Sequence, residues 1–215
     1  MMKYRAGFLK AVGACMLILM QSLGARPAPK KHAAIVPCRL KELTNLTRSL
    51  VEASLTSFDE ANGKHLGTWF PGFPELQVHQ NSALIGSKVQ CSLLFMTKGL
   101  DKVLEDQEKN LNPQDVSLHQ KLRDTIFRVN MLTECVKQIL GGECLPKPSP
   151  PEMPKHAFNR KQWSHTLLKT AKDYLGWLEC KLGFQISKVK GKNKIKCTDS
   201  EATSQRYLEG SGYLL

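Results

Sequence analysis

Acidic residues are scarce in this chain of 215 residues: 19 Asp and Glu stand against 31 Lys and Arg, for a formal net charge of +12. Such an imbalance selects acidic partners, sulfated glycans or acidic protein surfaces, without selecting a fold. Long apolar runs are missing too. Ala11 to Met20 is uninterruptedly apolar or Gly, but too short to span a bilayer as a helix, and no later run qualifies, so membrane insertion is not expected. No segment reads as a convincing strand and no internal repeat occurs, which sets aside sheet and solenoid architectures. Gly-x-Ser-x-Gly, a phosphate loop and His-Glu-x-x-His are all absent. His119 and His165 stand alone, and Asp115 and Glu134 are scattered helix charges. No enzyme and no cofactor is expected. With no Cys-x-x-Cys and no close Cys/His cluster, no zinc or other metal site is expected either.

What is present begins with a leader. Lys3, Arg5 and Lys10 flank the apolar run, and Ser22 and Gly24 occupy the −3 and −1 positions of a cleavage site. This is the layout of a secretory signal peptide over 1–24. The expected organisation is then an N-terminal segment over 25–37, a helical domain over 38–187 and a basic, flexible tail over 188–215. Losing the leader lowers the formal charge from +12 to +9. An extracellular location makes nucleic acid a poor partner. Cys15 leaves with the leader, and Cys38, Cys91, Cys135, Cys144, Cys180 and Cys197 remain. An even set in an oxidising compartment reads as disulfides. Asn45-Leu46-Thr47 is a glycosylation sequon, which would place Asn45 on the surface.

Four long helical patterns follow. In the first, about 38 to 60, Leu43, Leu46, Leu50 and Phe58 mark an inner stripe with Val51 and Leu55 beside it, and Asn62-Gly63 ends it. Residues 62–81 form a loop whose centre, Trp69-Phe70-Pro71-Gly72-Phe73-Pro74, is expected to cross the bundle. The second helix runs from near Ser82 to about Asn110, with Leu84, Val89, Leu93, Met96, Leu100 and Val103 inward. Asn112-Pro113 restarts the chain as N-cap and first helical residue. In the third helix Leu118, Leu122, Thr125, Val129, Leu132, Val136 and Ile139 alternate steps of four and three before Gly141-Gly142. The fourth runs from about Ala157 to Ile186, with Leu167, Ala171, Tyr174, Leu178 and Leu182 inward.

The connections are long, short and long. That order fits an all-α, long-chain four-helix bundle with up-up-down-down topology and two crossover loops. In this topology the start of the first helix lies near the end of the third, so Cys38 is expected to pair with Cys135. Cys91 and Cys180 lie towards one end and form a second expected pair. The start of the fourth helix is peculiar. A helix N-terminus favours negative charge, yet His156, Phe158, Arg160 and Lys161 cluster there after the proline-rich segment 146–154. Residues of the wrong sign and shape for local stability suggest a surface kept for contact. On the third helix, Gln120, Arg123, Asp124, Phe127, Met131 and Glu134 face outward, and Phe127 and Met131 form an apolar pair rimmed by charge.

Two segments carry a family resemblance. Asp106-Gln107-Glu108-Lys109-Asn110-Leu111-Asn112-Pro113 with Ser117-Leu118-His119-Gln120-Lys121-Leu122 resembles the junction of the second and third helices in the leukemia inhibitory factor family. Phe158-x-x-Lys161 resembles the Phe-x-x-Lys signature at the start of the fourth helix in that family and its ciliary neurotrophic factor and cardiotrophin-like relatives. The resemblance implies a secreted interleukin-6-type cytokine. It would bring together a leukemia inhibitory factor receptor-type chain and the shared glycoprotein-130-type receptor, triggering JAK/STAT signalling. Phe158 and Lys161, with Arg160 beside them, would meet the first. The outer faces of the first and third helices, including Ser49, Glu52, Asp124, Phe127 and Met131, would meet the second. The chain departs from the family in its cysteines: Cys38 stands alone before the first helix and the following loop has none. Two other readings stand beside this one. One is a helical hormone of growth-hormone or prolactin type, in which a late C-terminal disulfide would pair Cys180 or Cys197 differently. The other is a basic protein binding sulfated glycans through the lysines from Lys188 to Lys196.

Overall fold

A computed structural model describes residues 38–64, 72–79 and 81–189, with backbone alone over 184–189. All of them belong to the compact unit Cys38–Leu215. The expected leader, the segment 25–37, Trp69, Phe70 and the side chains from Lys188 to Lys196 lie outside the described residues. Four helices carry the fold: α1 (Leu40–Asn62), α2 (Gly86–Asp106), α3 (Val116–Leu140) and α4 (Ala157–Val189). A 3-10 turn, Pro74–Leu76, precedes α2, and a π turn, Gln107–Leu111, prolongs it. Strands are absent among the described residues. α1 packs on α3 and α4, while α2 packs on α3 and more lightly on α4, giving an all-α four-helix bundle.

The inner faces of α2, α3 and α4 match the apolar periods. Val89, Leu93, Met96, Leu100 and Val103 meet Leu118, Leu122, Val129, Leu132, Val136, Leu167, Ala171, Tyr174, Leu178 and Leu182, all buried. Each large aliphatic side chain so buried contributes roughly 1.5–3 kcal/mol relative to exposure. Phe73 crosses to the core as expected, edge-on to Trp163 at 5.4 Å between ring centroids and 5.8 Å from Phe95. Ile139, expected inward, is exposed in the last turn of α3, where the neighbouring Leu140 packs against the core instead. α2 starts at Gly86 rather than near Ser82, leaving Leu84 half-buried in the preceding loop.

α1 departs most from its pattern. Leu46 is 44% exposed, and the buried positions are Leu40, Thr44, Thr47, Val51, Ser54, Ser57, Phe58 and Asn62. Hydroxyl groups turn inward because each finds a hydrogen-bond partner. Thr44 donates to the Leu40 carbonyl at 2.8 Å and Thr47 to that of Leu43 at 2.7 Å. Ser54 and Thr125 join α1 to α3 through a 2.9 Å hydroxyl contact. Satisfied in this way, a small polar residue packs like a small apolar one, without the cost of an unpaired buried group.

Two disulfides pin one end. Cys38, just before α1, is bonded to Cys135 in α3, as expected, with Cα atoms 5.8 Å apart. Cys91 is bonded to Cys144, not to Cys180. The reason is local: the Gly141-Gly142 turn, with positive φ at both residues, folds the chain back onto the start of α2. Gln90 Nε2 donates there to the Gly142 carbonyl at 3.0 Å. A Cβ on Gly86 would lie 2.1 Å from the Gly141 carbonyl oxygen. Cys180 is also disulfide-bonded.

Candidate receptor-contact site at the start of helix 4

Side-chain hydrogen bonds join the last residue of α1, the π turn after α2 and the first turn of α4 at one corner. Asn112, expected to cap α3, does not: Asp115 is the cap, its Oδ1 accepting from the Leu118 N–H at 3.0 Å. Asn112 Nδ2 donates instead to Asn62 Oδ1 at 2.9 Å and to Gln107 Oε1 at 2.8 Å. Asn62 donates to the same Gln107 oxygen at 3.0 Å. This amide cluster ties α1 to the π turn. Much of the first family-like segment, from Asp106 to Pro113, therefore builds a corner of the bundle.

Arg160 reaches from α4 to that corner. Its Nε donates to Asp106 Oδ1 at 2.8 Å, an oxygen that also accepts from Asn110 Nδ2 at 2.8 Å. Its Nη1 donates to the Lys155 carbonyl at 2.5 Å. Asp106 is only 3% exposed. A carboxylate at that depth is costly without a cation and hydrogen-bond donors, and Arg160 supplies both. Grouped with Phe158 and Lys161 as a contact residue, Arg160 thus turns its guanidinium inward. Its presence at a helix start, unfavourable to the α4 dipole, follows from Asp106 across the corner.

Phe158 is different. It is 59% exposed and lies three residues before Lys161, on the same helix face. Lys161 is half-buried and makes no ion pair with a described residue. The two therefore form an apolar anchor beside an uncommitted cation.

On α3, Phe127 and Met131 are 62% and 41% exposed and share one face. Arg128 Nη1 lies 3.8 Å from the Met131 sulfur. Asp124 is held on its own helix by Gln120 Nε2 at 2.8 Å. The α1 residues are engaged elsewhere. Glu52 pairs with Lys172 of α4 at 3.0 Å, and the hydrogen-bonded ammonium holds its carboxyl below the ordinary glutamate range. Ser49 donates to the Asn45 carbonyl at 3.1 Å, and exposed Asn45 donates to Glu179 of α4 at 3.0 Å. Glu52 and Asn45 thus belong to the α1–α4 rim, and no direct contact joins Glu52 to Asp124. Further along that rim His165 Nδ1 meets Asp59 Oδ1 at 2.8 Å, so His165 is a packing partner of α1. His119 is buried, with its Nε2 unpaired among the described residues.

No known protein-family model matches the chain, and no curated protein matches it. A cleft of about 600 Å³ opens elsewhere, lined by Val78, Ile85, Val89, Leu145, Tyr174 and Trp177 among others. None of the expected receptor-contact residues lines it. The described helices include none long and apolar enough to cross a membrane.

Sequence reasoning passed over Asp106 and the π turn. The available signal was an acidic residue in an apolar stripe, at the helical spacing after Val103. It pointed to a buried charge that needed a cation from elsewhere.

Proposed function

We propose that this is a secreted helical cytokine of leukemia inhibitory factor type, which bridges a leukemia inhibitory factor receptor-type chain and a glycoprotein-130-type chain. The observation that carries the reading is Phe158, a large aromatic left mostly in water at the start of α4, beside Lys161, which has no ionic partner among the described residues. Aromatic side chains flanked by a cation are typical anchors of protein interfaces. The ties between helices support an up-up-down-down order. The start of α1 meets α3 near its end, Asp59 late in α1 meets His165 early in α4, and the end of α2 meets the start of α4. Phe127 and Met131 on the outer face of α3 supply the second contact.

The test is binding of the purified mature chain to the two soluble ectodomains, singly and together. Phe158→Ala with Lys161→Ala should weaken the leukemia inhibitory factor receptor-type complex by about 30-fold or more, the scale of a hot spot. Helicity and melting should be retained, because neither side chain supports the core. Unchanged affinity would reject this contact. A helical hormone of growth-hormone or prolactin type is the second reading. It is favoured by Cys180, which is disulfide-bonded but not to Cys91. Binding to a homodimeric hormone receptor, with neither cytokine ectodomain bound, would favour it.

A further inference from the structure

We infer that the buried Asp106–Arg160 pair positions Phe158 and Lys161, so that Asp106, away from the contact surface, sets the affinity of the α4 start. This rests on the receptor reading above. Three observations carry it. The chain reaches α4 through 141–156, which has no regular structure, and the first turn of α4 has no acidic residue. The helix start is therefore poorly defined by its own sequence. Phe158 is mostly exposed, so core packing does not fix its direction. Arg160, in the same turn, holds the Lys155 carbonyl on one side and Asp106 on the other. One planar guanidinium thus fixes both the incoming chain and the distance to α2.

The pair is demanding in geometry. Asp106 Oδ1 takes both donors, while Oδ2 is buried and finds no partner among the described residues. Any shift of Arg160 exposes this carboxylate to an uncompensated environment, so the helix start has one strongly preferred seat. Arginine's fork makes two directed contacts that a lysine ammonium reproduces only in part. Without the anchor, the first turns of α4 would be ordered only on binding, which lowers affinity without removing any contact residue.

The experiment compares Asp106→Asn and Arg160→Lys with the wild-type mature chain, and with Phe158→Ala as the contact reference. Hydrogen exchange is read at the amides of 161–164 and, as an internal control, of 171–178. Exchange at 161–164 should accelerate about tenfold or more with little change at 171–178. Affinity for the ectodomain that Phe158→Ala weakens should fall about tenfold, with the other ectodomain held within about twofold. Unchanged exchange at 161–164, uniform acceleration along α4, or equal losses for both ectodomains would overturn the inference. So would wild-type affinity despite accelerated exchange. If Phe158→Ala alters neither affinity, the receptor reading of this site fails by itself, and the exchange data still decide whether the pair anchors the helix.

Discussion

Removing the Cys38–Cys135 bond should cost this protein a large share of its stability. The two cysteines are 97 residues apart. Closing a loop of that length in the unfolded chain removes conformational entropy worth about 4.7 kcal/mol at 25 °C. For Cys91–Cys144, separated by 53 residues, the same relation gives about 4.2 kcal/mol. The loops interleave, so each value is an upper bound while the other bond is intact. Single domains are stable by about 5–15 kcal/mol, so a loss at that bound would consume roughly 30 to 90 per cent of such a margin. The assay is urea unfolding of the Cys38→Ala/Cys135→Ala chain, followed by far-UV circular dichroism. The midpoint should fall, and the slope should rise as the unfolded chain expands. The predicted gap between the two bonds is no larger than the extrapolation error, so the test lies in each magnitude rather than in their order. A loss below about 1 kcal/mol, with helix content retained, would refute the loop-entropy reasoning here.

Other consequences follow from particular contacts. Gly86→Ala should destabilise by about 1–3 kcal/mol or more, because the new Cβ would lie 2.1 Å from the Gly141 carbonyl oxygen; a wild-type melting temperature would contradict the close approach. Thr125→Val should cost about 1 kcal/mol, since Ser54 loses its 2.9 Å partner but keeps the Lys121 carbonyl. Adding Ser54→Ala should cost less than the two single losses summed, and strict additivity in a double-mutant cycle would deny the coupling. Burial pushes the Tyr174 hydroxyl up to about 12, against a smaller lowering by Ser92. Its folded value exceeds the unfolded one, so this contribution is full below about pH 10 and is lost as the pH rises towards 12. Ultraviolet titration should find this tyrosine ionising last, and ionisation of every tyrosine near pH 10 in the folded chain would reject its burial.

The legibility of the fold varied by helix. α2, α3 and α4 were readable because their inner faces are built from aliphatic and aromatic residues at helical spacing. α1 is less legible, with Leu46 exposed, because its inner face is largely Thr and Ser, and hydroxyls look polar until their acceptors are known. Those acceptors are the chain's own carbonyls one turn back and Thr125 of α3. The partner of Cys91 is not legible because the Gly141-Gly142 turn brings Cys144 back beside α2, a backbone path that helix counting does not give. The unusual aromatic and cation at the α4 start, Phe158 and Lys161, are visible in residue type, whereas receptor contact is what the family resemblance implies. Their separation from Arg160 required knowing that Asp106 lies across the corner.

By itself, then, the sequence determined helix number, approximate limits and the aliphatic core, because these depend on period and on local stop signals. It also determined the unusual chemistry of the α4 start. The tertiary structure alone decided which polar residues are interior, which cysteines meet and which cation at that start turns inward. Each of those depends on groups far apart in the chain: Ser54 with Thr125, Cys91 with Cys144, Asp106 with Arg160. The energy of a polar or charged group is set by the partner that folding brings to it, and residue type does not name that partner.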